Sequence, residues 1–435
     1  MSPILLAALV YVGMGVMIIV HVPIGVAMAI AGFAGLWAMV GLLPAFSMFG
    51  TIPTDVLTDT NLASIPMFLM MGSFAAVAGL SADLYRLFHA FFAHLRGGLA
   101  MATIGGCAGF GAISGSSMAT GTTFMRVAYP EMAKRGYAPS LASGTIAAGG
   151  TLGIIIPPSG LLILYGILTE QFSIALFFGA ILPAILTIAF YIVAIAVYVR
   201  VRPDQAPSAE RTSWPIRWQT LKESWGLVLL VVLVKGGIYA GLFTVIEGAA
   251  VGCVTAFLFA VFRRRLSWPA MRRVLTETAT TTAMIYIIIV GAFILSTFTA
   301  LTRVPDIVTE QIKQSGMSPL TVIFCLVGMY IIIGSVFDEV AAMVITLPVV
   351  FPLVVGFGYD PIWWGIINII IIQIGQILPP IGLLVFVLHG MRPEIPLKTM
   401  YAGIIPFAIV DFLRLAIIIL IPALVTWLPT YMGMQ

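Results

Sequence analysis

Charge is what this sequence has least of. Of its 435 residues only 9% are Asp, Glu, Lys or Arg, against 61% hydrophobic ones. A soluble domain carries about 25% charged residues and less than half apolar ones. A surface this short of charge is not turned to water, which excludes a cytosolic enzyme, a nucleic-acid binder and a disordered scaffold. Cysteine is nearly absent too. Cys107, Cys253 and Cys325 all lie inside apolar stretches, so no disulfide framework or metal-ligand cluster is implied. The four histidines, His21, His89, His94 and His389, fall near the ends of apolar runs and read as interfacial residues rather than ligands. No basic n-region or small-residue cleavage site opens the chain, so the first apolar stretch reads as a mature span and not a signal peptide. These absences leave an all-α polytopic membrane protein.

What is present is a series of long apolar runs. About 20 residues at 1.5 Å each are needed for a span. Ten runs qualify: 3–20, 23–43, 62–80, 140–168, 172–199, 224–241, 245–262, 274–300, 362–390 and 399–428. Two further stretches, 98–130 and 318–355, are apolar but interrupted near their middles, at Ser114-Gly115-Ser116-Ser117 and at Gly334-Ser335 with Asp338-Glu339. Their arms come to roughly 22–27 Å as helix, short for a full crossing. Both read as re-entrant hairpins; two ordinary short spans with a Ser/Gly turn return the chain to the same side.

The placement of the few cations orients the layout. With the amino terminus outside, the segments at 81–97, the end of the first hairpin, 200–223, 263–273 and 391–398 are cytoplasmic. They hold 17 of the 21 Lys and Arg residues, including Arg126, Arg211, Arg272 and Arg273; Lys235, Arg303, Lys313 and Arg414 fall elsewhere. Both termini are therefore expected outside. The linker 200–223 is the one long polar segment. Its Arg217 and Lys222, interleaved with Trp214, Trp218 and the adjoining Trp225, fit an amphipathic interfacial segment or an ordinary solvated connector.

The two sides of that linker repeat one another. Pro130 is followed 27 residues later by Pro157 within IIIPPSGLL, and Pro352 is followed 27 residues later by Pro379 within QILPPIGLL. Leu182-Pro183 matches Ile405-Pro406, and Gly115-Ser116 pairs with Gly334-Ser335. Each side holds five full spans and one hairpin; five is odd, so the second repeat is expected to be inverted. The first repeat is 1–199, the second 224–435. Inverted repeats with interrupted helices at matching positions are the signature of a secondary transporter.

The chemistry follows from the interruptions. A Pro pair within a span frees the carbonyls near 153–156 and 375–378, because proline has no N–H to give them. Such carbonyls are tolerated where they line a cavity or hold an ion; a merely kinked structural helix is the plainer account. Exposed carbonyls suit a small cation such as sodium, and half-helix amino ends suit an anion. The tip hydroxyls of Ser114, Ser116, Ser117, Thr120, Thr122 and Thr123 are able to complete a sodium shell or bind a carboxylate, although Ser and Thr in membrane helices commonly bond their own backbone. Asp338 is a carboxylate inside a membrane segment, costly and functional by default. Glu339 reads as facing the outer mouth. Asp411 and Arg414, at i and i+3 on the last span, are expected to pair with each other, and Lys235 to snorkel or to meet a partner subunit.

The stretches GAISGSSMATGTTFMRVAYPEMAKRGY (111–137), GTLGIIIPPSGLLILYG (150–166), GSVFDEVAAMVITLPVVFPL (334–353) and GQILPPIGLL (375–384) resemble the large, DctM-like membrane subunit of tripartite ATP-independent periplasmic (TRAP) transporters. The resemblance covers essentially the whole chain. It implies sodium-driven import of an organic acid with no cofactor, in the bacterial inner membrane. It also implies two partners: a periplasmic substrate-binding protein (P type) and a small four-helix membrane subunit (Q type), here expected to be separate. The implied fold is an elevator. Scaffold spans lie in 3–43 and 224–262; transport elements lie in 62–199 with hairpin 98–130 and in 274–428 with hairpin 318–355. By position the ion-binding residues become Ser114, Gly115, Ser116, Gly153, Pro157, Gly334, Asp338, Gly375 and Gln376. Ser117, Thr120, Pro158, Ser159 and Pro380 are assigned to substrate. Two other readings compete: a stand-alone sodium/dicarboxylate symporter of similar architecture, and an intramembrane hydrolase using Ser114 or Ser116, which lacks a base at membrane depth.

Overall fold

The computed structural model describes residues 2–207 and 212–434; Arg211 lies outside the described residues. Helix is the only regular structure among them. The first ten helices are α1 (Pro3–Ile19), α2 (Ile24–Val40), α3 (Leu42–Thr58), α4 (Ser64–Val77), α5 (Leu80–Phe92), α6 (Gly98–Ser114), α7 (Ser117–Lys134), α8 (Pro139–Ile155), α9 (Gly160–Leu168) and α10 (Ser173–Val201). After the linker come α11 (Trp214–Glu223), α12 (Trp225–Val231), a π turn over Val232–Gly236 that carries Lys235, α13 (Gly237–Tyr239), α14 (Val245–Phe262), α15 (Trp268–Thr302) and α16 (Val304–Gln314). The chain closes with α17 (Pro319–Val336), α18 (Glu339–Gly356), α19 (Pro361–Gly375), α20 (Leu383–Met391), α21 (Leu397–Leu420) and α22 (Ala423–Tyr431). Seven helices are long and apolar enough to cross a membrane, α4 with the turn from Thr60 included, eight if the bent pair α8–α9 counts as one span. α17 and α18 are among them, so the arms of the second hairpin, expected to be short for a full crossing, are each long enough for one.

Local sequence sets the starts. Ser2, Ser267, Ser318 and Asp360 cap α1, α15, α17 and α19, each followed by a proline in the first turn, where a missing N–H costs nothing. Thr244 and Glu247 cap α14 reciprocally.

Three stretches that hydropathy reads as connections are helical. α3 is too polar to register as a span, but its hydroxyls turn inward: Thr51, Thr54 and Thr58 donate to the carbonyls of Ser47, Gly50 and Thr54. α5 is amphipathic around Asp83, and α16 carries Asp306 in its first turn and Lys313 in its last, both favourable to the helix dipole. The runs 362–390 and 399–428 are each two helices, parted at 376–382 and at Ile421-Pro422.

Packing between the two sides of the linker is reciprocal. α2 lies on α15 and α14 on α4; α8 lies on α21 and α10 on α19. The closest seams use small residues, as membrane helices do. A Cβ on Gly291 would sit 2.2 Å from the Gly25 carbonyl oxygen, and one on Gly144 would sit 2.2 Å from that of Gly403. Asp83 gathers three of the basic connections at one end of the bundle. It is buried, pairs with Arg86 at 2.5 Å and with Arg263, and Ser224 donates to its carbonyl. Arg217 of α11 donates to the Ala90 carbonyl and lies over Phe91, which seats the linker helix on α5; Trp214, Trp218 and Trp225 stay exposed.

Candidate functional site between the hairpin tips

α6 and α7 are joined by two residues only. Gly115 takes φ +60°, a left-handed conformation that suits glycine, and Ser116 caps α7 by accepting from the Ala119 N–H. α17 and α18 are likewise joined by two residues. Asp338 caps α18, accepting from the N–H groups of Val340 and Ala341 at 3.0 and 3.1 Å. Ser116 and Asp338 thus hold the same station in their hairpins, and Ser117 and Glu339 follow as the first helical residues.

The tips meet through those next residues. The Ser117 hydroxyl donates to the Glu339 carboxylate, and Gln376 Nε2 donates to the same oxygen at 2.7 Å. Glu339 therefore turns inward, toward the first hairpin, and not to the outer mouth expected for it. Asp338 spends its carboxylate on its own helix.

Each tip also touches the broken helix of its own side. A Cβ on Gly153 would lie 2.4 Å from the Ser116 carbonyl oxygen, and one on Gly375 would lie 2.8 Å from the Gly334 carbonyl carbon. Gly115 abuts Pro158 and Gly160, and the Gly382 N–H donates to the Ser335 carbonyl. The α8–α9 break bends the axis by 42°. Pro157-Pro158 and Pro379-Pro380 are both cis. The two breaks differ in their backbone. Gly153 and Ile154 lack an i+4 donor because residues 157 and 158 are prolines. In the second break Leu378 N–H donates to Gly375 and Leu384 N–H to Gln376, so two of the carbonyls expected to be free at 375–378 are engaged by the tight turn that follows.

A cavity of about 890 Å³ opens beneath the tips, between the hairpins, α4 and α15. Ser114, Gly115, Ser116, Asp338 and Gln376 line it, as the sequence positions imply, and Glu339 joins them. Gly153, Pro157, Gly334, Gly375, Ser117, Thr120, Pro158, Ser159 and Pro380 do not line it. The three glycines act as close contacts between elements, and Thr120 is spent on Ser114 (2.9 Å) and on the Ser116 carbonyl (2.8 Å). Two buried oxygens near the tips lack a hydrogen-bond partner, Ser159 Oγ and Gln376 Oε1. The lining includes Thr122 and Thr123 of the tip hydroxyls, and residues that hydropathy reasoning passed over: Arg126 on α7, and Arg273, Glu277 and Thr281 on α15. Both arginines read from sequence only as markers of one membrane face. Glu339 had one sequence signal, its distance of 222 residues from Ser117, the same as that between the two Pro-Pro pairs.

Behind the cavity a polar network ties the broken helices together. Asp411 and Arg414, about 1% and 0% exposed, pair at 3.0 Å as expected. Tyr191 donates to Asp411 at 2.8 Å, Arg414 donates to Thr187 and to Gln373 Oε1, and Gln373 Nε2 donates to Thr151 at 2.9 Å. Burial of two charges is tolerated only with such hydrogen bonds around them.

A multi-pass helical bundle with two polar hairpin tips over an internal cavity defines a membrane permease. Its sequence matches the family model described as "Tripartite ATP-independent periplasmic transporter, DctM component" over residues 11–424. It is 32% identical over 438 residues, covering 95% of both chains, to the C4-dicarboxylate TRAP transporter large permease protein DctM of Vibrio cholerae. It is 30% identical, over 86% of this chain and 59% of the other, to the isethionate TRAP transporter permease protein DctMQ of Oleidesulfovibrio alaskensis. Among solved structures, the Alcanivorax borkumensis YdaH transporter shares the fold, with a TM-score of 0.65 at 14% identity over 88% of this chain and 89% of that one. The chain belongs to the DctM family and is the large permease subunit of a TRAP transporter.

Proposed function

We propose that this subunit imports an organic acid anion, driven by sodium, across the bacterial inner membrane, with both termini on the periplasmic side. A periplasmic binding protein delivers the substrate, and a separate small four-helix subunit accompanies the permease. The names of the relatives, one a C4-dicarboxylate and one an isethionate transporter, support an anionic substrate. The longer relative named DctMQ supports a need for both membrane components. The movement is an elevator, with the transport elements of 62–199 and 274–428, hairpins and broken helices among them, sliding against the scaffold spans of 3–43 and 224–262 as two inverted repeats.

The observation that carries this reading is the Ser117–Glu339–Gln376 contact at the roof of the cavity. It brings a carboxylate, a hydroxyl and an amide from three elements to one point. Gln376 Oε1 and the tip hydroxyls complete an all-oxygen set of the kind a hard cation takes. Sodium bound there offsets the anion's desolvation cost. Glu339 supplies the charge and Asp338, as cap, fixes the helix that presents it.

The test is uptake into proteoliposomes holding the complete membrane complex. Uptake is expected to require a sodium gradient and the binding protein, and to fall in Ser116→Ala and Glu339→Gln while membrane insertion persists. Undiminished uptake without sodium would sink the coupling; undiminished uptake without the binding protein would favour a stand-alone symporter.

A further inference from the structure

We infer that Arg126 and Arg273 form a second, anion-holding station in the cavity, apart from the hairpin tips, that takes the carboxylate groups of the cargo. This rests on the reading of the chain as an organic-anion importer.

Both residues are exposed, and both line the same cavity of about 890 Å³. They come from different helices: Arg126 from α7, one of the hairpin arms, and Arg273 from the start of α15. Neither closes on a carboxylate. Among the described residues the ion pairs engage Arg86, Lys134, Arg263, Arg392 and Arg414. The acids at the roof are engaged elsewhere, Glu339 by Ser117 and Gln376 and Asp338 by its helix amides. Glu277, one turn from Arg273 on α15, also lines the cavity and forms no ion pair within 4 Å, so that region holds two cations against one acid. Thr123, three residues before Arg126 and on the same face of α7, adds a hydroxyl to the lining.

Guanidinium is the group that binds carboxylate in a planar, two-pronged fashion, and it is only weakly hydrated. An anion leaving the tips therefore meets two forked donors from two helices of the lining.

The plainer account is that both residues only mark the membrane face. Arg272 separates the two accounts, since it has the same charge at the same level but does not line the cavity. The experiment uses the complete complex in proteoliposomes with succinate as the probe, measuring the half-saturation for exchange from the side opposite the binding protein. Arg126→Gln and Arg273→Gln are expected to raise it roughly tenfold each, the scale of a lost charge-assisted hydrogen bond, with the half-saturation for sodium unmoved. Arg272→Gln is expected to match wild type. If a Gln variant fails to assemble, Arg126→Lys and Arg273→Lys keep the charge without the fork and are expected to give a smaller rise.

Unchanged half-saturation in both arginine variants, or an equal rise in Arg272→Gln, would overturn the inference while leaving the import reading intact. A wild-type complex that carries no carboxylate overturns that reading, and this station with it.

Discussion

Ser117 donates its hydroxyl to Glu339 from 222 residues away, and Gln373 donates to Thr151 across the same separation of 222. The two Pro-Pro pairs are 222 residues apart as well, so both contacts join positions that the sequence offset puts in correspondence, one at the hairpin tips and one at the buried broken helices. The paired residues are not identical: Ser faces Glu and Thr faces Gln.

The first prediction concerns this contact. Ser117→Ala and Glu339→Gln are each expected to raise the sodium concentration for half-maximal uptake about tenfold, since a hydrogen bond to a charged group is worth about 1.5–3 kcal/mol. The double variant is expected to be less than additive, because the groups touch. Sodium titration of uptake in all four proteins measures this. Strict additivity would mean the two residues act independently.

Asp338 is expected to behave as a cap. Asp338→Asn keeps an acceptor and is expected to retain most stability, whereas Asp338→Ala loses about 0.5–2 kcal/mol. Thermal unfolding in detergent distinguishes them, and equal melting points would argue against capping as its main role.

Asp411 and Arg414 make a sharper stability prediction. Removing one partner strands a buried charge, so Asp411→Asn or Arg414→Met alone is expected to cost about 3–5 kcal/mol. The two changes together are expected to cost less than either. A double variant weaker than both singles would show that the surrounding Tyr191, Thr187 and Gln373 bonds matter more than the pair.

Gly153 and Gly375 test the contact between tips and breaks. A methyl at Gly153 meets the Ser116 carbonyl oxygen at 2.4 Å, and one at Gly375 meets the Gly334 backbone at 2.8 Å. Backbone does not yield as a flexible side chain does, so Gly153→Ala and Gly375→Ala are expected to displace the tips and to abolish most uptake while leaving the protein in the membrane. Uptake at wild-type rates would show that tips and breaks do not move as one.

Hydropathy, period and spacing were enough to give the membrane class, the interruptions at 115–116 and 337–338, both Pro-Pro breaks and the pairing of Asp411 with Arg414. Each of those is written in a contiguous stretch: an apolar run long enough to span, a proline pair that removes two N–H groups, an acid and a base one helical turn apart. α3, α5 and α16 were not legible. Their polarity hides them from a hydropathy window, and only folding shows that α3 satisfies its hydroxyls on its own backbone.

What the tertiary structure alone decided is which polar groups face each other. From sequence Asp338 is the costly carboxylate and Glu339 its neighbour. In the fold the N-cap geometry of α18 draws Asp338 onto its own amides and turns Glu339 toward Ser117 and Gln376. Arg126 and Arg273 count as two of many cytoplasmic cations until α7 and α15 are brought to the lining of one cavity. Sequence fixes the periodicity and chemistry of each element, because those depend on residues a few positions apart. Which side chains share a cavity depends on how helices more than a hundred residues apart pack, and that is settled only by the folded whole.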